Sequence, residues 1–415
     1  MSALQKSIMK SKLPPRCPRS SGVSKLAPFS GGRRKDYTPV SWKQYFEKYE
    51  DVETDGGTFR VYLSAEPDHP DRPRIITLHG GGYSGLSWAL FTEEITNMIH
   101  CQVIAMDVRG HGETKVKDPD DLSGETLVND VEQVLHKLFG NELPPLILVG
   151  HSMGGAIAVR AAHLPSLEHC LQGIAVIDVV EGTAMDALAS MQSFLRGRPT
   201  HFKSIEHAIE WCVRSGQVRN VESAKVSMPS QIVNCETDKL ATNEVEDYVP
   251  QNEAPLPSRH APLPDRIAEE GSEEDLVPED IVNYYYLYKW RIDLSKTERH
   301  WSGWFKGLSA AFLSVLAPRM LLLASIDGLD RDLTVGQMQG KFQMQVLARC
   351  GHAVQEDSPG EVRSHVNRKE REEKHAMSFK ATFACFKALF ASVFYKSLHH
   401  KYVAYYDAKS FYKST

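Results

Sequence analysis

Between residues 52 and 137, short apolar runs alternate with stretches whose apolar positions recur every three or four residues. That is the rhythm of strands and helices taking turns around a mostly parallel sheet. Phe59 to Leu63 reads as an early strand, and Arg74 to Leu78 and Gln102 to Met106 as two more, each running into glycine-rich text. Trp88 to Ile99 reads as a helix. A second helix starts at Ser123, with Thr126, Val128, Val131, Val134 and Leu138 as its inward stripe. Leu146 to Val149 is wholly apolar, as a strand covered on both faces must be. Gly173 to Val180 reads as the next strand. From 182 to 234 the period becomes helical with no obvious strand, which predicts an inserted helical cap. Strand-like text resumes at Met320 to Ser325 and Phe342 to Leu347.

Composition changes this picture only locally. The 415 residues are 42% hydrophobic and 24% charged, with a net charge of −5, so there is no global pull towards nucleic acid or anionic lipid. The first 35 residues hold nine Lys or Arg and no acid, and no apolar run of signal-peptide length follows. Residues 1–38 are therefore expected to be a disordered basic tail, and Arg33, Arg34 and Lys35 are a candidate nuclear-localisation cluster. Residues 236 to 280 carry 14 acids against three basic residues, with six prolines, too little apolar surface to offset the entropy of ordering. A disordered acidic loop is expected over 236–282. Seven cysteines include no Cys-x-x-Cys pair, which fits a reducing compartment, cytoplasmic and nuclear. No stretch approaches the apolar length of a membrane span. Near the end, Phe379, Phe383, Phe386, Phe390 and Phe394 would stripe one face of a helix.

The chemistry is concentrated at Gly150-His-Ser-Met-Gly154, which follows the apolar strand and precedes helical text. This is the context of a nucleophile elbow, a strand-to-helix turn too tight for a Cβ at its flanking glycines. It predicts an α/β-hydrolase with Ser152 as nucleophile. A serine hydroxyl needs a base, and His352 follows the last strand-like segment, where this fold places one. His151 is expected to pack, and His79 to orient the glycine loop. The acid is open from chain order, because Asp178 ends one strand while Asp327 and Asp330 follow a later one. The common layout uses the later strand. His79-Gly80-Gly81-Gly82 resembles an oxyanion loop, which makes the N–H groups of Gly81, Gly82 and Met153 the candidate donors. The same glycines, with Asp107 some way on, also fit a dinucleotide fingerprint, a reading that leaves Ser152 and His352 unexplained. There is no Walker lysine and no His-Glu-x-x-His, and neither cofactor nor metal is expected.

Several longer segments resemble the protein phosphatase methylesterases. They include Ser41-Trp-Lys-Gln-Tyr-Phe, His111-Gly-Glu-Thr-Lys-Val-Lys, Gly150-His-Ser-Met-Gly-Gly-Ala-Ile-Ala-Val and Ile177-Asp-Val-Val-Glu-Gly-Thr-Ala-Met-Asp-Ala-Leu. Phe194-Leu-Arg-Gly-Arg-Pro and Trp301-x-Gly-Trp-Phe-x-Gly-Leu-Ser extend the likeness, which spans about residues 36 to 359. The resemblance implies an α/β-hydrolase domain over 39–359 and an esterase acting on the methylated C-terminal leucine of the type 2A protein phosphatase catalytic subunit. It also implies Asp178 as the acid, reversing the preference for the later strand. Met185, Met191 and Phe194 of the cap are candidates for the wall that meets the substrate peptide. The family closes with a helix past the histidine loop, whereas Arg363 to Thr415 does not resemble it, leaving 360–415 an atypical tail.

Overall fold

The computed structural model describes residues 35–246, 287–325, 329–347 and 350–357. Most of the basic tail, most of the acidic loop, Asp327 and the phenylalanine-striped tail lie outside the described residues.

A mostly parallel sheet forms the centre. Its first strands are β1 (Lys48–Glu53), β2 (Gly57–Leu63), β3 (Arg74–Leu78) and β4 (Gln102–Met106), with the short β5 (Lys115–Val116) pairing to β2. The chain continues through β6 (Leu146–His151) and β7 (Leu171–Ile177). Away from the sheet lie β8 (His201–Phe202), β9 (Ile232–Asn234) and β10 (Tyr288–Trp290), and β11 (Arg319–Leu323) and β12 (Gln343–Val346) complete it. The order is β1-β2-β4-β3-β6-β7-β11-β12, antiparallel as far as β4 and parallel from β4 onward.

Alternate residues of each central strand feed opposite faces, as the pleat requires. Ile76, Ile104 and Leu148 pack into one apolar cluster, while Ile75, Val103 and Ile147 pack into another. Burying each such side chain contributes about 1.5–3 kcal/mol, so these strands have no stable alternative to a sheet covered on both sides. The covering helices are α1 (Ala89–Met98), α2 (Gly124–Phe139) and α3 (Met153–Ala161). Helix α2 starts where Ser123 accepts from the Thr126 N–H and stops at Gly140, and it buries Leu127, Val131 and Val134. Its Asp130 accepts from Nε and Nη2 of the buried Arg109 at 2.8 and 2.7 Å.

The cap begins with α4 (Glu181–Arg196), α5 (Ile205–Ser215) and α6 (Val221–Ser227), while α7 (Ala241–Glu246) corrects the start of the expected disordered loop, because Ala241 and Val245 pack into the apolar cluster of the cap. The expectation of a strand-free cap is corrected, because β8, β10 and β9 pair there as a three-stranded antiparallel sheet. Strands of two or three residues are too short for alternation to register in the text. Strand β1 was not foreseen either, since only Val52 of Lys-Tyr-Glu-Asp-Val-Glu is buried. After β10 the chain forms α8 (Glu298–Phe305), α9 (Leu308–Ser314) and α10 (Arg331–Met338). No described helix is long and apolar enough to cross a membrane.

Register sets the stage for chemistry. Leu78 pairs with Gly150, His151 with Ile177, and Ile177 with Leu322, so the carboxyl ends of β3, β6, β7 and β11 lie side by side. Open α/β sheets bind ligands beyond that edge.

Candidate active site

Ser152 sits between β6 and α3 with φ 52° and ψ −118°, a conformation that L-residues rarely adopt. Two contacts force it there. Its N–H donates to the Ile177 carbonyl at 2.9 Å, while its own carbonyl accepts from Gly155 at 2.9 Å to begin the helix. Gly154 lies against β3 so closely that a Cβ would collide with the carbonyl oxygens of Leu78 and His79.

Asp178 leaves β7 with φ 50°. Its N–H donates to the Leu322 carbonyl at 2.7 Å, and its Oδ1 accepts from the Ala324 N–H at 2.8 Å. That leaves Oδ2 aimed at His352, whose Nδ1 lies 2.8 Å away. Asp330, the described alternative, is spent elsewhere: it caps α10 by accepting from the Leu333 N–H and also takes the Ser309 hydroxyl. With Nδ1 engaged, Nε2 is the nitrogen left for a serine proton. Ser152 and His352 line one pocket, and among the described residues no hydrogen bond joins them. Such bonds are often long before substrate arrives.

The neighbouring histidines are structural. The buried His151 ring lies 4.7 Å from that of His352, with its Nε2 2.9 Å from the His352 carbonyl. Burial, then the nearby His352, holds its pKa well below the ordinary value, so the neutral ring donates to that carbonyl. His79 reaches from Gly80, whose carbonyl is 2.8 Å from Nδ1, to the Val108 N–H, 3.1 Å from Nε2, which fixes the glycine loop against the end of β4.

The oxyanion candidates divide. Gly81 and Met153 face the pocket beside Ser152, and neither N–H has a hydrogen-bond partner among the described residues. Gly82 is corrected: its N–H donates to His111 Nε2 at 2.9 Å, and a donor committed there is not available to a substrate oxygen. His111 is the residue that sequence reasoning missed. Asp107, the candidate ribose-binding acid, accepts from Gly85 at 2.7 Å and Glu113 at 2.9 Å, which removes the dinucleotide reading.

The pocket holds a cavity of about 160 Å³ with mostly apolar walls. Helix α4 presents Ala184, Ala187, Met191, Phe194 and Leu195 to it, positions that share one helical face. Met185 is not among them. It lies off that face, 36% exposed, and is corrected as a wall residue. Trp301, Trp304 and Phe305 of α8 close the far side, spaced three and four apart as a buried helix stripe requires. Among the described residues no cluster of His, Cys, Asp or Glu is placed to hold a metal ion.

A profile described as the Alpha/beta hydrolase family matches residues 75–365. Human "Protein phosphatase methylesterase 1" is 50% identical over 375 residues, covering 87% of this chain and 93% of that protein. The chain belongs to the protein phosphatase methylesterase family. A methylesterase from Yarrowia lipolytica is 35% identical over 85% of this chain and 78% of its own length. The "Probable protein phosphatase methylesterase 1" of Caenorhabditis elegans is 42% identical over 82% of this chain and 79% of its own. In three dimensions, E-2-(acetamidomethylene)succinate hydrolase superposes with a TM-score of 0.51 at 16% identity, over 75% of this chain and 94% of that one, a likeness of fold alone. Like its methylesterase relatives, the chain is a hydrolase of the esterase class.

Proposed function

We propose that this methylesterase acts on the methyl-esterified C-terminal leucine of the type 2A protein phosphatase catalytic subunit, through an acyl-enzyme on Ser152. The observation that carries the reading is the meeting of Ser152, the Asp178–His352 pair and an apolar cavity in one pocket. Ser152 Oγ attacks the ester carbonyl while His352 Nε2 takes its proton, and Asp178 holds Nδ1–H and steadies the imidazolium. The N–H groups of Gly81 and Met153 receive the oxyanion. His352 then gives the proton to departing methanol, and water repeats the sequence to free the carboxylate. A methyl group offers little to recognise, so selectivity is drawn from the rest of the peptide along the α4 and α8 walls.

Incubation with methylated phosphatase, followed by mass measurement of its C-terminal peptide, is expected to show loss of one CH2. Ser152→Ala is expected to slow this by about 10⁴-fold or more. Demethylation at an undiminished rate by that variant would refute the reading. A second reading, a phosphatase-binding inhibitor without turnover, is motivated by residues 363–415, which do not resemble the family's closing helix. In that case both proteins bind the phosphatase equally and neither changes its mass.

A further inference from the structure

One charged group in the pocket has no part in the chemistry above. Arg198 follows α4 in Phe194-Leu-Arg-Gly-Arg-Pro, and its side chain lines the cavity with Tyr83 and Gln217. Its guanidinium stacks on the Trp290 ring with 3.5 Å to the centroid, held in place by packing rather than by an acid. The Nε is shut off from solvent and has no hydrogen-bond partner, and no carboxylate pairs with the side chain among the described residues. By contrast the buried Arg109 donates Nε and Nη2 to the two carboxylate oxygens of Asp130.

Burying an unpaired charge costs several kcal/mol, only partly offset by cation–π contact. Burial pulls the Arg198 pKa down to about 10, so it still carries its charge at neutral pH. Stacking on Trp290 holds the guanidinium in one orientation before a ligand arrives, and its two Nη groups are left to meet an anion in the pocket. The oxygen at Ser152 is already served by the N–H groups of Gly81 and Met153 rather than by Arg198. The anion it awaits is therefore separate from the carboxylate formed at Ser152. Besides His352 it is the sole basic side chain on the described pocket wall, which suits one carboxylate better than a doubly charged phosphate.

We propose that Arg198 is a specificity-determining residue that pairs with an acidic side chain of the substrate peptide, upstream of the ester on Ser152. The inference rests on the esterase reading of that site, and it predicts that methyl-ester peptides carrying Asp or Glu at the matching position are preferred over their amide counterparts.

The test uses short C-terminally methylated peptides with Asp or Asn at each of several upstream positions. Affinity is read on full-length Ser152→Ala protein, so discrimination does not depend on turnover. At one position the Asp peptide is expected to bind about 10- to 100-fold more tightly than the Asn peptide, the range of a charge-assisted hydrogen bond. In the Ser152→Ala background, Arg198→Gln should bring that ratio to near one and Arg198→Lys should restore part of it. In active protein the same Gln change should raise KM for the Asp ester with little change in kcat, the mark of lost ground-state binding. A merely structural arginine would instead lower the melting temperature and leave the Asp/Asn ratio intact. Equal affinity for Asp and Asn at every position overturns the proposal even if Arg198→Gln fails to fold, because that ratio is measured with Arg198 present. Relief of inhibition by the demethylated product, with the Asp/Asn ratio unchanged in Arg198→Gln, would also overturn it. If the wild type cleaves no ester, the esterase reading fails, and the affinity ratio still decides on Arg198.

Discussion

Ser152 and His352 reach the same pocket from supports of opposite character. The serine stands on β6, every residue of which is buried, in a turn closed by backbone sterics at Gly154. The histidine stands on a loop after β12, an edge strand with no fully buried residue. That loop is tied down by polar groups. Asp357 accepts from the N–H groups of Arg219 and Gly351, and Glu356 Oε2 accepts from Ser223 at 2.9 Å and Ser227 at 2.6 Å. Ser223 and Ser227 belong to α6, so His352 is anchored to the cap while Ser152 is anchored to the core. Apolar strand packing is insensitive to pH, whereas buried carboxyls are not. Glu356 Oε1 is buried with no partner among the described residues, and burial pushes the Glu356 pKa up to about 8 against the pull of the two serine hydroxyls.

The steric side should break most sharply. Gly154→Ala has no room except by moving the carbonyls of Leu78 and His79, which are fixed in or beside the sheet. A loss of about 3 kcal/mol or more is expected, read as a melting temperature lower by roughly 10 °C or as insoluble protein. Unchanged melting would mean the elbow is not held by backbone contact.

The polar side should respond to pH. Glu356 keeps its proton in the folded chain up to about pH 8 and releases it near its ordinary value when unfolded. Stability therefore falls as pH rises through that interval. Asp357, raised by burial to about 6, acts in the same direction at lower pH, and the depressed His79, His111 and His151 act in the opposite direction below about 6.5. Between pH 6.5 and 8.5 the Glu356 effect stands clear. Glu356→Gln should flatten the decline in melting temperature over that range, and a decline as steep as in the wild type would show that the carboxyl is not the cause.

The smallest effect compares two methionines of one helix. Met191→Ala should raise KM for the methylated peptide by a few-fold, on the order of 1 kcal/mol of lost apolar contact, and Met185→Ala should leave it unchanged. Equal changes would mean that the peptide reaches the outer face of α4.

Strands β3 and β4 were legible to the residue because each is an apolar run cut off by glycine or polar text. The elbow was legible for a related reason, since its glycines answer a local steric demand. Met185 could have been set aside from helix phase alone. Strand β1 could not be foreseen, because a charged edge strand needs only backbone partners. Gly81 and Gly82 are identical letters, and the difference between them lies in His111, 29 residues away.

Local sterics and the burial of apolar runs are written residue by residue, and for this protein they determined the parallel sheet, the turn at Ser152 and the side of the sheet where chemistry occurs. The donor lost at Gly82 and the unpaired guanidinium of Arg198 were decided only by tertiary structure. Each depends on whether two polar atoms far apart in the chain fall within about 3 Å of one another, and hydrogen bonding at that range has no signature in residue order.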